Sequence, residues 1–185
     1  IVPSSRAVVS VFDRGFLYGD AIFETMLVYR SSVYRACDHW MRLNSSANAV
    51  NLTLPISSEA EFTSLCLELC QANKLESCVV RLSVSRGVGP RGLSMRRCSD
   101  PFLTASCYAW NGLGFNVRRD GYKLHLAKLK RMLPQRFPTV AKTANYLSNI
   151  LAYEGAVQAA ADDALFLGAE GELAECTTSN IFRVG

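Results

Sequence analysis

The apolar residues of this chain fall into short segments. In some segments their spacing is that of a strand and in others that of a helix, and this order of segments constrains the fold most. Ala21–Tyr29 is rich in β-branched and aromatic residues and predicts a long strand. The spacing of Phe62, Cys66 and Leu69 predicts a helix that is capped by Ser58. Because the predicted strands and helices do not alternate regularly, we expect an α+β fold rather than a doubly wound parallel sheet.

A glycine-rich break at residues 111–114 divides this pattern into two parts. We predict an N-terminal α+β domain over residues 1–110, a linker over 111–117 and a second domain over 118–185. Strands are also predicted close to the two ends, over residues 7–12 and 181–184.

The composition excludes several classes of protein. With 49% hydrophobic residues, the chain has enough apolar surface to fold, so a disordered protein is excluded. No apolar run reaches the roughly 18 residues that a membrane span needs. The net charge of +4 comes from both signs spread along the chain, which is not the pattern of a nucleic-acid surface. We expect a small-molecule partner rather than nucleic acid or a membrane.

The cysteines and histidines give no sign of a metal site. The seven cysteines contain no C-x-x-C pair, and the two histidines are far apart in the sequence. This usage predicts reduced cysteines in a cytoplasmic protein, without a disulfide framework and without a metal.

Residues 87–92 match the G-x-G-x-x-G pattern of dinucleotide-binding loops and follow a predicted strand. Such a loop opens directly into a helix and precedes an acidic residue by about 20 positions. Neither feature is present. The residues from Pro90 onward predict no helix, and the position where the acidic residue is expected is occupied by Gly112. We interpret the segment as a turn in which Arg86 and Arg91 either hold a carboxylate or form part of a tight surface loop.

Lys142 is the only cation between residues 137 and 161, and its neighbours are small or apolar. Such surroundings desolvate an ammonium group and favour the free amine, which attacks carbonyls to form a Schiff base. The alternative is a lysine that flanks the following helix in solvent.

Glu175 precedes a run of short hydroxyl and amide side chains that includes Thr177 and Thr178. Such a run either binds an anion or satisfies its own turn. The carboxylate itself either pairs with a cationic ring nitrogen or is an ordinary loop glutamate.

Four segments together resemble the signatures of the class IV, or fold-type-IV, enzymes that depend on pyridoxal 5′-phosphate (PLP). Residues 13–24 are similar to the D-R-G-x-x-x-G-D-x-x-[FY]-E signature, and residues 39–43 are similar to an H-x-x-R-L helix. Residues 142–147 resemble the segment that bears the Schiff-base lysine, and residues 175–182 match E-x-[ST]-x-x-N-[IL]-F. The motifs occur in the family's order and cover nearly all of the chain.

The resemblance implies a two-domain PLP enzyme and a role for several residues. Lys142 forms the Schiff base with PLP and moves the proton between substrate and cofactor. Glu175 holds the pyridine nitrogen protonated, Arg42 binds the phosphate, and Tyr146 approaches the phenolic oxygen. The remaining residues that it implies are Thr177 and Thr178 for the cofactor, Phe23 and Arg91 for the substrate, and Thr25 as a catalytic hydroxyl.

The resemblance also implies a homodimer that acts on a small amino substrate, and a second domain that is incomplete in this chain. Residues 23–25 read F-E-T rather than the F-E-G usual in branched-chain aminotransferases, and residues 85–92 match a loop, S-R-G-x-G-x-R-G, that is common in 4-amino-4-deoxychorismate lyases. We therefore expect such a lyase, which eliminates pyruvate to leave 4-aminobenzoate, a folate precursor. The alternative is an aminotransferase of the D-amino-acid or branched-chain type, and a non-catalytic relative or inactive fragment is a third possibility.

Overall fold

The computed structural model describes residues 1–98, 100–112, 119–131 and 141–184. A 3₁₀ turn over Ser4–Arg6 precedes the regular elements. In chain order these are α1 (Arg14–Tyr18), β1 (Ala21–Tyr29), β2 (Ser32–Val33), α2 (Ala36–Ala49), α3 (Glu59–Ala72), β3 (Cys78–Ser85), β4 (Phe102–Ala109), β5 (Leu124–Leu126), α4 (Leu147–Gln158), β6 (Asp163–Leu167) and β7 (Leu173–Cys176). The expected α+β fold is confirmed.

The first sheet is antiparallel and has the strand order β2-β1-β3-β4. Alternate residues of β1, among them Ile22 and Met26, are buried in a core that includes Leu43 of α2 and Phe62 of α3. Because side chains alternate along a strand, the odd-numbered residues of β1 and β3 lie on the opposite face of the sheet. Two helices therefore cover one face of this sheet, and the other face presents the residues between the core positions.

The second sheet has the order β5-β6-β7. β5 and β6 are parallel, with α4 in the connection between them, whereas β6 and β7 are antiparallel. The core of this part is small: Ala152 and Ala156 of α4 pack against Ala164 and Phe166 of β6.

Contacts divide the chain into two compact units. The first unit is Ile1–Asn111 with Thr139–Ala144, and the second is Gly112–Pro138 with Asn145–Gly185. The sequence-based division placed all residues after 118 in the second domain, so it differs for the short segment that contains Lys142. This segment joins the first unit because its backbone bonds to β1, a pairing between residues about 120 positions apart that no local pattern reveals.

The ends of the chain differ from the prediction. Residues 7–12 and 181–184 are in no strand, because an apolar run without a partner strand cannot satisfy its backbone hydrogen bonds in a sheet. The last strand is β7, which ends before the predicted segment begins. None of the helices in the described parts of the chain is long and apolar enough to cross a membrane.

The cysteines also differ from the prediction at one pair. Cys70 at the end of α3 and Cys78 at the start of β3 form a disulfide, with their Cα atoms 6.8 Å apart. The short connection between α3 and β3 brings these two positions together, which the absence of a C-x-x-C motif could not exclude. The cytoplasmic location stays a prediction.

Candidate active site

Lys142 is attached to β1 through its backbone. The amide of Phe23 donates a hydrogen bond to the Lys142 carbonyl (3.0 Å), and the amide of Ala144 donates to the Ala21 carbonyl (2.8 Å). The Lys142 amide donates to Oγ of the buried Ser46 on α2 (3.0 Å). Because β3 occupies the other edge of β1 along its length, the lysine segment extends the sheet on the edge that β2 also uses. The lysine is therefore held by a sheet and a helix together.

The amine of Lys142 lies against an aromatic ring on the non-core face of the sheet. Its Nζ is 4.6 Å from the centroid of the Phe23 ring, and Cζ of Arg81 is 3.6 Å from the same centroid. Thr25 is the cross-strand partner of Arg81, so it belongs to the same face. The structure thus brings Lys142 to Phe23, places Thr25 on the same face, and adds Arg81 to them.

On the core face of β1, Glu24 is completely buried and is paired with α2. Arg42 donates two hydrogen bonds of 2.6 Å to its carboxylate, and Nδ1 of His39 lies 2.8 Å from Oε2. Burial raises the pKa of the Glu24 carboxyl, but hydrogen bonds and charge from Arg42 and His39 lower it by more, so its pKa lies below the usual value. The Arg42 side chain is 50% exposed, whereas the Glu24 side chain that it binds is fully buried.

The D-R-G and G-D parts of the N-terminal motif build the turn next to this site. Asp13 caps α1 by accepting from the amides of Gly15 and Phe16, and its other oxygen accepts from the Ser85 hydroxyl. Buried Arg14 donates to Asp20 and to carbonyls of the turn at residues 92 and 93. These residues are structural, because each charged group has its partner inside the unit.

Arg86 and Arg91 differ in their surroundings. Arg86 is buried and donates from all three of its nitrogens, to Asp20 and to two backbone carbonyls, so its role is within the unit. Arg91 is exposed on the turn. Gly87 has a φ of +75°, and a Cβ there would lie 1.9 Å from the Asp100 carbonyl oxygen. The glycine pattern therefore serves a close backbone approach within a turn, and no helix follows it.

In the second unit, Glu175 lies on β7, and its side chain is 51% exposed. Its Oε1 is 3.0 Å from Nε of Arg131. The resemblance placed this carboxylate beside a pyridine nitrogen, a role that its exposed position on a strand permits.

The turn after β7 carries the two predicted threonines. Thr177 is buried, and its hydroxyl donates to Asp163. Ser179 also donates to Asp163, whereas Thr178 is exposed. The Thr177 hydroxyl therefore stabilises the turn, and Thr178 is the threonine whose side chain is accessible to a ligand. Tyr146 lies at the N-terminal end of α4.

Three charged residues that the sequence analysis did not assign belong to these arrangements. Glu24 and Arg81 are charged residues inside apolar strands, which is a signal that was available. Arg131 has no local sequence signal. No group of three or more His, Cys, Asp or Glu side chains within the described ranges is arranged to hold a metal ion.

The side chains present match the chemical groups of PLP. Lys142 supplies a half-buried amine for an aldehyde, and Glu175 supplies an exposed carboxylate for a pyridine nitrogen. Arg42 supplies a half-exposed guanidinium whose own carboxylate partner is buried, a suitable donor for a phosphate dianion.

An α+β fold that fixes a lysine amine on a sheet defines a candidate for chemistry between amines and carbonyls. The family model described as amino-transferase class IV matches residues 21–184, and this chain belongs to that family. Class IV aminotransferases depend on PLP, so the predicted class of enzyme and its cofactor are confirmed at the level of the family.

Known proteins similar to this chain are longer. A Methanocaldococcus jannaschii protein assigned as a branched-chain-amino-acid aminotransferase is 34% identical over 183 residues, which cover 99% of this chain and 62% of the relative. The solved branched-chain amino acid aminotransferase from T.th. with pyridoxamine 5′-phosphate is 27% identical with a TM-score of 0.85, covering 95% of this chain and 59% of that one. A Legionella pneumophila structure assigned as a 4-amino-4-deoxychorismate lyase is 26% identical with a TM-score of 0.81, covering 96% and 63%.

Proposed function

We propose that this chain carries the Schiff-base lysine of a PLP-dependent aminotransferase that acts on branched-chain amino acids. The observation that carries the proposal is the position of Lys142, whose backbone is bonded to β1 and whose amine lies against the Phe23 ring. The assignment of the Methanocaldococcus jannaschii relative supports this substrate class. It supports an aminotransferase better than the lyase that the sequence motifs favoured.

Several residues of the chain have separate roles in such an enzyme. Bound PLP supplies an electron sink for the bond broken at the substrate Cα. Lys142 holds the cofactor and moves a proton at Cα, because its amine is the base fixed on the sheet face. Arg42, which is half exposed and is held by Glu24, binds the cofactor phosphate. Glu175 pairs with the ring nitrogen, and Thr178 and Tyr146 are further cofactor contacts.

The substrate lies over the face that presents Phe23 and Thr25, since these side chains lie beside the Lys142 amine. Phe23 is buried with its ring against Lys142 and Arg81, so it gives this face an apolar base that suits a branched-chain side chain. Arg91, on its exposed turn, supplies a cation for a substrate carboxylate.

A homodimer is part of the proposal. Large apolar side chains are exposed on α1 and on the turn that Arg14 binds, among them Phe16 at 73% and Leu93 at 80%. Exposed apolar surface of this kind marks an interface, and a second copy of the chain is the occupant we propose. Sedimentation of the holoenzyme is expected to give a dimer that Phe16→Glu converts to monomer; a monomeric native enzyme would contradict it.

A second candidate is the lyase, which the Legionella pneumophila neighbour and one position favour. Thr25 places a hydroxyl on the face that holds the Lys142 amine, where the F-E-G pattern of branched-chain aminotransferases has no side chain. Such a hydroxyl is suited to protonating a leaving group during pyruvate elimination.

Substrate assays on the PLP-loaded enzyme separate these functions. The enzyme is offered leucine, isoleucine or valine with 2-oxoglutarate, then D-alanine with 2-oxoglutarate, and then aminodeoxychorismate alone. We expect glutamate formation with the branched-chain amino acids. Release of pyruvate and 4-aminobenzoate without amino transfer would establish the lyase instead. Bound PLP without any turnover would identify a non-catalytic relative.

A further inference from the structure

The second unit contains a half-buried cation that the proposed function does not use. Arg131 is 26% exposed, and its Nε lies 3.0 Å from Oε1 of Glu175. Nε itself is buried and has no aligned hydrogen-bond partner among the described residues, so this contact is one of charge rather than of a directed hydrogen bond. A guanidinium whose Nε is buried beside the carboxylate assigned to the cofactor ring requires an explanation.

Two elements, α4 and β6, fix the position of the Arg131 side chain. Its Nη2 donates to Oδ1 of Asn149 (2.6 Å) and its Nη1 donates to the Ser148 hydroxyl (3.3 Å), both on α4. Its Cζ lies 4.5 Å from the centroid of the Phe166 ring on β6. The Arg131 amide donates to the carbonyl of Leu167, which fixes the backbone as well. The guanidinium is therefore held from α4 and β6 at a defined distance from β7.

The same network reaches the turn that follows Glu175. Asn149 is buried and donates through Nδ2 to the carbonyl of Thr177 (2.5 Å). Arg131 and Asn149 therefore connect the carboxylate of Glu175 and the backbone two residues later to one helix. A long, half-exposed glutamate on a strand otherwise has several rotamers, and fixing one of them restricts the carboxylate to a single direction.

We propose that Arg131 is a positioning residue for Glu175, which holds that carboxylate in the one rotamer that pairs with the cofactor's pyridine nitrogen. This inference rests on the proposed function, because it assumes that Glu175 contacts that nitrogen. Arg131 acts through Glu175 and does not itself touch the cofactor.

The test uses the PLP-loaded enzyme with ¹⁵N in the pyridine ring. Arg131→Gln removes the charge but keeps a polar group for the α4 contacts, and Arg131→Lys keeps the charge. Arg119→Gln is the matched control, because Arg119 is 66% exposed and pairs with the adjacent Asp120. The measurements are the ¹⁵N chemical shift of the ring nitrogen, kcat and KM for the best amino donor, and the thermal midpoint.

We expect Arg131→Gln to move the ¹⁵N shift toward that of an unprotonated pyridine and to lower kcat by about tenfold or more, with KM changed by less than about threefold. Arg131→Lys is expected to restore most of the ¹⁵N shift, and Arg119→Gln to change none of these quantities. In a Glu175→Gln background, Arg131→Gln is expected to add almost no further loss, because the effect passes through Glu175.

Two results would overturn the inference while leaving the proposed function intact. The first is an unchanged ¹⁵N shift in Arg131→Gln with PLP still attached to Lys142. The second is a loss of kcat in the double variant equal to the product of the single losses. If Arg131→Gln does not fold, the ¹⁵N shifts of the double variant and of Arg131→Lys are compared with that of Glu175→Gln. A ¹⁵N shift in Arg131→Lys equal to that in Glu175→Gln would refute the inference. Absence of PLP on Lys142 in the native enzyme would instead refute the proposed function.

Discussion

Replacement of Arg42 by Met removes both hydrogen bonds that hold the Glu24 carboxylate from α2, and we expect it to destabilise the cofactor-free protein markedly. Glu24 is fully buried on the core face of β1, where water cannot replace the lost donors. After the change, His39 is the one side chain among the described residues that still lies within hydrogen-bond distance of the carboxylate. A buried charge that loses its partner is among the few causes of large destabilisation by one substitution.

The magnitude follows from the geometry. Breaking a buried ion pair by removing one partner costs about 3–5 kcal/mol. The two bonds of 2.6 Å are charge-assisted, which agrees with that range. The Arg42 side chain is 50% exposed, so part of its attraction for Glu24 is already screened by solvent. We therefore expect a loss of about 2–4 kcal/mol in the free energy of unfolding.

Urea unfolding followed by circular dichroism measures this loss without the cofactor, so a defect in phosphate binding does not enter. Arg35→Met is the matched control, because Arg35 pairs with Asp38 at the start of the same helix with both side chains exposed. We expect it to change the free energy of unfolding by less than about 0.5 kcal/mol. Combining Arg42→Met with Glu24→Gln is expected to cost less than the sum of the two single changes, by about 1.5 kcal/mol or more.

Two results would refute this reasoning. The first is a loss for Arg42→Met no larger than that for Arg35→Met, which would mean that the Glu24 carboxylate does not depend on its partner. The second is strict additivity of the two changes in the double variant.

Three further changes test other parts of the structure by urea unfolding. Acidification below the usual glutamate pKa of 4.5 should destabilise the native protein, because the pKa of Glu24 is lowered in the folded state and its carboxylate must take up a proton. Glu24→Gln should flatten the dependence of the free energy of unfolding on pH. An unchanged slope would contradict this prediction. Gly87→Ala should lower the free energy of unfolding by more than about 2 kcal/mol, because the new Cβ meets the Asp100 carbonyl. Gly112→Ala should lower it by about 1 kcal/mol, because Gly112 has a φ of +79° but nothing lies within 4 Å of the new Cβ. Equal losses would contradict this prediction. Asp163→Asn should cost about 1–3 kcal/mol, because the amide cannot accept all the bonds from Thr177 and its neighbours; no loss would contradict it.

Local sequence patterns predicted most of the regular elements of the fold. β1 begins and ends where its β-branched and aromatic composition predicts, and the Ser58 hydroxyl accepts from the Glu61 amide at the start of α3 as the capping pattern predicts. The patterns failed at residues 7–12 and 181–184, where apolar composition is present without a partner strand. Strand propensity states what a segment can do, whereas a ladder requires a neighbour that only the tertiary fold supplies.

The candidate site was predicted less completely, for a similar reason. Lys142, Phe23 and Thr25 were found because motifs mark them. The contact of Lys142 with β1 was not predictable locally, since it joins residues about 120 positions apart. Arg131 was missed because its role depends on α4, β6 and β7 at once.

The central claim is that Lys142 binds the cofactor covalently, and one measurement tests it directly. The PLP-loaded enzyme is treated with borohydride, which reduces the C=N bond between lysine and cofactor to a stable amine, and its peptides are then mapped by mass spectrometry. We predict a phosphopyridoxyl group on Lys142, retained in Lys123→Arg and absent from Lys142→Arg. A label on another lysine, or no label on a protein that has bound PLP, would contradict the account.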